Sequence, residues 1–156
     1  MNFKLFILAL FLVGIVASIV SGQASEKKKV VITIERQACY GRCPIYSAQI
    51  YADGTVIYNG KDFVKVIGER SHKIKKDKLE RLIKAFEDIK YFSLKDEYRY
   101  NENGLTITDQ PTTITSFSYK GKTKKVINYA FAPAELEKLE LKIDEIADVY
   151  IYIAGR

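Results

Sequence analysis

IYSAQIYADGTVIYNG, Ile45 to Gly60, decides how this chain folds. Tyr46, Ala48 and Ile50 alternate with Ser47, Gln49 and Tyr51, the period-two pattern of a strand with one buried face. Asp53-Gly54 then interrupts the pattern, and Thr55 to Tyr58 resumes it. Asp-Gly between two such runs predicts a tight hairpin with positive φ at both central residues, and so an antiparallel pair. Asn59-Gly60 predicts a second turn and Phe63 to Ile67 a third strand of a meander, with a short strand following around His72 to Ile74.

Working outward, VVITIE from Val30 to Glu35 alternates in the same way and predicts a strand before the hairpin. Downstream the period changes. Leu79, Leu82, Ile83, Phe86 and Ile89 form one stripe of an amphipathic helix, which Asp77 and Glu80 are spaced to open as a capping box. Thr112 to Tyr119, Lys120-Gly121 and Lys122 to Tyr129 read as a second hairpin. Ala132-Pro133 opens a last helix that buries Leu136, Leu139, Ile143, Ile146 and Tyr150. Strands, helix, strands, helix, with no β-α-β-α alternation, predict an α+β domain: a mostly antiparallel sheet, a meander plus a hairpin, with two helices packed on one face.

Lys95 to Pro111 carries turn residues and charges without periodicity, and a loop of that length in a compact domain is commonly functional or mobile. Its acids Asp96, Glu97, Glu102 and Asp109 lie among Tyr98, Arg99 and Tyr100, a mixture that suits contact with a sugar or peptide and equally a solvated loop. Lys120, Lys122 and Lys124 are placed to meet an anionic surface or to guard an exposed strand edge against pairing.

At the N-terminus Lys4 precedes an uncharged stretch from Leu5 to Val20, and small residues follow at Ser21, Gly22 and Ala24. This order predicts a signal peptide over residues 1–24, with an uncleaved anchor as the rival reading. Residues 25–156 then form one domain in an extracytoplasmic space, periplasmic or secreted, touching a membrane only through the N-terminal segment if that is retained. The formal charge of +6 is modest and scattered among acids, which argues against a nucleic-acid partner and leaves a protein or an anionic envelope component.

Both cysteines fall in CYGRCPIY, Cys39 to Tyr46. Extended, four residue steps would separate their α-carbons by about 13 Å, whereas a disulfide needs roughly 4.4 to 6.8 Å, so pairing requires a turn. Gly41 and Pro44 supply turn chemistry, and an exported chain with two cysteines predicts a structural Cys39–Cys43 bridge. A redox or reactive thiol is the rival, because Arg36 and Arg42 are cations able to stabilise a thiolate. A metal is disfavoured, since zinc wants four ligands and His72 is the single histidine. No nucleophile elbow or glycine-rich phosphate loop occurs, so no catalytic residue and no cofactor is expected. The candidate rim of a binding surface is Tyr40, Arg42, Tyr46, Asp109 and Pro111, with the Asp109–Pro111 segment expected beside the cysteine turn.

ACYGRCPIYSAQIYADGTVIYNG, the following Val64, Val66 and Gly68, the helix with Leu82 and Phe86, and TDQPTTITSFSYKGKTKKVINY together resemble the bacterial domain-of-unknown-function family DUF6438, over about residues 30 to 150. The resemblance implies a small exported or envelope-associated domain and brings no activity or catalytic residues. The sequence reading is therefore a non-enzymatic binding or interaction module. An envelope thiol-disulfide protein using Cys39 and Cys43 and an inhibitor or chaperone-like module are the alternatives.

Overall fold

The computed structural model describes residues 29–153; the expected signal segment lies outside them. In chain order the elements are β1 (Val30–Arg36), β2 (Ile45–Tyr51), β3 (Thr55–Asp62), β4 (Gly68–Lys73), α1 (Lys76–Asp88), a single 3-10 turn (Tyr91–Ser93), β5 (Glu97–Tyr98), β6 (Thr113–Tyr119), β7 (Lys122–Asn128), α2 (Ala134–Ile146) and α3 (Tyr150–Ile153). The strands form one sheet in the order β4-β3-β2-β1-β6-β7-β5, antiparallel throughout except where β5 meets β7. This is the α+β architecture read from the alternation and stripe patterns.

Register sorts the core face into transverse rows. Phe117, Ile32, Ile50 and Val56 form one row, and Val126, Thr115, Ile34, Ala48 and Tyr58 the next. α1 covers this face with Leu79, Leu82, Ala85 and Phe86, whose ring stacks on Phe117 at 4.5 Å. α2 adds Leu136, Leu139 and Ile143. The buried Tyr91 hydroxyl shares a hydrogen bond with Thr115 Oγ1 at 2.7 Å, so its polar tip is satisfied inside the core.

Five local expectations are corrected. At the first hairpin only Gly54 takes positive φ, at +81°, and its N–H closes the turn on the Tyr51 carbonyl at 2.9 Å. This is a type I turn followed by a left-handed residue, whereas Lys120 and Gly121 in the second hairpin both take positive φ.

Asn59-Gly60 is not a turn, because β3 runs through it to Asp62 with Gly60 opposite Tyr46. Phe63 to Ile67 is not a strand: Phe63 leaves the sheet at φ 50°, and the Val66 N–H goes to the Tyr152 carbonyl at 3.0 Å. A Cβ on Gly60 would lie 2.1 Å from the Val66 carbonyl oxygen, so glycine here serves a close approach.

Asp77 is not a helix cap. α1 begins at Lys76 behind Lys75, because the buried Ile74 is tied by its N–H to the Gly54 carbonyl and fixes where the chain leaves the sheet. Tyr150 is not on the buried face of α2. Asp148 turns the backbone left-handed at φ 55°, so Ala147 and Val149 take the buried positions and Tyr150 is exposed.

Candidate functional site

The register places four connections at one end of the sheet: residues 37–44 after β1, 63–67 after β3, 99–112 before β6, and 129–133 after β7. Sequence expectation pointed to the first and third. The other two were hidden, since Phe63 to Ile67 reads as a strand and Phe131 adjoins a helix start.

The first connection holds the Cys39–Cys43 disulfide, with α-carbons 5.8 Å apart. Tyr40, inside the ring, is 88% exposed, and the Arg42 guanidinium lies 5.8 Å from the Phe63 ring centre, linking the first two connections. Gln37 N–H donates to the Thr112 carbonyl at 2.9 Å, so the chain leaving β1 runs beside the chain entering β6 just after Pro111. Asp109 takes φ 63° in that segment. Within the third connection Asn101 organises a tight turn: its side-chain oxygen accepts from the N–H groups of Asn103 and Leu105, and its own N–H donates to the Leu105 carbonyl. Leu105 is left outward, 63% exposed.

Of ten large apolar side chains exposed among the described residues, seven belong to these four connections: Tyr40, Phe63, Ile67, Tyr100, Leu105, Ile107 and Phe131. Charges there are few, Arg42, Lys65 and Arg99 against Glu102 and Asp109. An apolar, nearly neutral surface on ordered loops is chemistry for contact with another apolar surface.

Beneath this end lies a polar row: Asn128, Thr113, Arg36 and Tyr46 stand side by side across β7, β6, β1 and β2, and α2 closes over them with Glu140 and Asp144. Arg36 donates from Nη2 to Asp144 Oδ2 at 2.7 Å, from Nε to the Tyr46 hydroxyl at 2.7 Å and from Nη1 to Thr113 Oγ1 at 3.1 Å. The Tyr46 hydroxyl in turn donates to Asp144 Oδ1 at 2.6 Å. Burial raises the Asp144 carboxyl, and the Arg36 charge and the Tyr46 hydrogen bond oppose that rise. Glu140 has weaker support: Asn128 Nδ2 donates to both its oxygens at 3.1 Å, and burial pushes its carboxyl up to about 7.

Tyr46 is thus inside the core, 1% exposed, and supports the corner from below, while Tyr40 and Arg42 stand on the surface. Arg36, which would have been a thiolate's cation, is engaged by Asp144. Glu140 and Asp144 escaped sequence reading because carboxylates on a helix are normally solvated. The available signal was their i, i+4 spacing beside Leu136 and Ile143 on the buried stripe. His72 is half-buried on β4, its Nε2 bonded to the Ala147 carbonyl at 2.8 Å, which makes Nε2 the protonated nitrogen and leaves Nδ1 to accept from Tyr152. Among the described residues no cluster of His, Cys, Asp or Glu could hold a metal ion, and no helix is long and apolar enough to cross a membrane.

Fold and site define a class: an antiparallel α+β domain whose loop-bearing end is closed at one corner by a short-range disulfide. The chain belongs to the family described as domain of unknown function DUF6438, whose model matches residues 30–147. No curated protein is detectably similar to it. The match spans the disulfide corner, both hairpins and all of α2 with Glu140 and Asp144.

Proposed function

We propose that this chain is a non-enzymatic, extracytoplasmic binding module that engages a protein partner through its disulfide-bearing end. The observation that carries the reading is the gathering of exposed apolar side chains on the four connections there, over a polar row that holds the strand ends in place. Aromatic and aliphatic side chains on pre-ordered loops bind with little conformational entropy to lose, and so suit the centre of an interface. The disulfide keeps Tyr40 projecting from a fixed corner, and the local Asn101 turn does the same for Leu105. Export, which the N-terminal pattern predicts, supplies the oxidising surroundings in which such a bridge persists.

Site-specific photo-cross-linking tests this. A benzoylphenylalanine at position 40 or 105 is expected to capture one discrete partner in the native host, and the same group at Ala52, exposed at the opposite end of the sheet, is not. Equal capture from all three positions, or none from 40 and 105, would sink the reading.

A further inference from the structure

The outer edge of β7 is only partly covered. β5 pairs with it at Glu97↔Ile127 and Tyr98↔Asn128 alone, and Ile127 N–H donates to the Asp96 carbonyl at 2.9 Å. Upstream of Asp96 the chain leads back to the half-buried Phe92, so no described strand lies on the outer side of Lys122–Val126, away from β6. The N–H groups of Ile127 and Tyr129 point outward to β5 and its end. Peptide groups alternate along a strand, so those of Thr123 and Lys125 point the same way.

This edge lines a cleft of about 800 Å³ between Phe92 and Asp96 on one side and Lys122–Lys125 on the other. At Phe92 and Lys122 it meets a more apolar hollow of about 380 Å³ that includes Phe86, Tyr91 and Tyr119. Lys90, Lys120, Lys122, Lys124 and Lys125 rim the two, against the acids Glu87 and Asp96. Glu87 pairs with Lys120 and Asp96 with Lys124, which leaves Lys90, Lys122 and Lys125 without a carboxylate partner among the described residues.

We infer that this edge receives an acidic, extended segment of a protein partner as an added strand. The main chain of that segment pairs with Thr123 and Lys125; on the helix-covered face an apolar side chain enters the hollow between carboxylates that meet Lys90 and Lys122, and on the opposite face a carboxylate meets Lys125. Residues 96–98 of the chain itself already show the arrangement in miniature. There an acid sits on a β7 lysine, a carbonyl accepts from a β7 peptide, and two residues extend the sheet. Lysines on a bare edge discourage pairing with copies that carry the same charge while leaving the edge open to a strand of opposite charge. The site is separate from the loop-bearing end and stands or falls independently of it.

The test uses the domain and the synthetic octapeptide EVFDEVVD, which as a strand carries Phe between two glutamates on one face and aspartates on the other, with amide NMR and fluorescence anisotropy. Saturable binding is expected, with the amide signals of Thr123 and Lys125 moving most. Replacing the peptide's valines by proline keeps its charge, removes main-chain donors, and is expected to weaken binding by about tenfold or more. Lys122→Glu with Lys125→Glu is expected to weaken it by about tenfold or more at an unchanged unfolding midpoint, and the Lys122→Gln, Lys125→Gln pair by less. No binding, equal binding of the proline peptide, or shifts away from β7 would overturn the inference. Binding of phosphatidylglycerol vesicles in place of the peptide would overturn it too, making the lysines a lipid contact.

Discussion

On Arg36 a single guanidinium meets Tyr46, Thr113, Asp144 and the Glu140 carbonyl, so strands β1, β2 and β6 are joined to α2 through one side chain. Replacing one member of a buried ion pair leaves the other charge without compensation. Arg36→Met is therefore expected to lower the unfolding free energy by about 3–5 kcal/mol in urea titration, and the double variant Arg36→Met, Asp144→Leu to recover part of that loss. Glu140 gives a pH signature. Its folded-state value of about 7 lies above the ordinary 4.5, so the folded protein binds the proton more tightly than the unfolded chain. The contribution is complete below about pH 4.5 and disappears as pH rises to about 7, at most about 3 kcal/mol. Asp144, raised in the same sense, adds to the slope. Urea titrations at pH 5 and pH 8 should show the wild type losing stability across this window. Glu140→Gln should flatten the profile, and an unchanged slope would mean that Glu140 does not carry it.

Among the elements, β3 and the connection after it depend on Gly60 as a unit. A methyl there meets the Val66 carbonyl oxygen and, at 2.6 Å, the Tyr58 hydroxyl, both rigidly held. Gly60→Ala is expected to cost about 2 kcal/mol or more, read as a fall in the thermal midpoint, although alanine is otherwise the better strand residue. The Asn-Gly pair misled for the same reason. Turn chemistry and close packing both select glycine, and a sequence does not say which is being served. The first hairpin, the stripe of α1 and the second hairpin were legible because periodicity and turn signals agreed there. Asp77 and Tyr150 misread because tertiary ties at Ile74 and a left-handed Asp148 moved helix ends by a few residues. The polar row was illegible because Arg36 and Asp144 lie 108 residues apart. At the disulfide corner, a five-residue ring stabilises by only about 2 kcal/mol in the chain-entropy model. Cys39→Ser with Cys43→Ser should therefore reduce stability by about that amount, while hydrogen exchange rises at residues 37–44 and stays unchanged in β6 and β7.

Seen as a whole, the molecule has two unlike ends. The apolar connections gather at one, while Lys29, where the described chain begins, bonds through its carbonyl to Ala52 at the other, beside the first hairpin turn. The described chain therefore begins at the end of the sheet opposite the proposed binding surface. The sheet order has a consequence for how the domain is made. β1 is central: its β2 neighbour follows at once, but its β6 neighbour is distant, with Thr33 meeting Ser116 across 83 residues. A chain delivered N-terminus first can build the β1-to-β4 meander, yet β1 keeps a bare edge until Tyr119 has arrived. Closure of that long loop, and not of the cysteine ring, governs how fast the native state forms. Stopped-flow refolding of the oxidised protein and of the Cys39→Ser, Cys43→Ser variant is expected to give nearly equal rates, with the bridge showing instead in unfolding. The sheet becomes complete only once Asn128 is in place, so no stretch of the described chain that ends before β7 can close it alone.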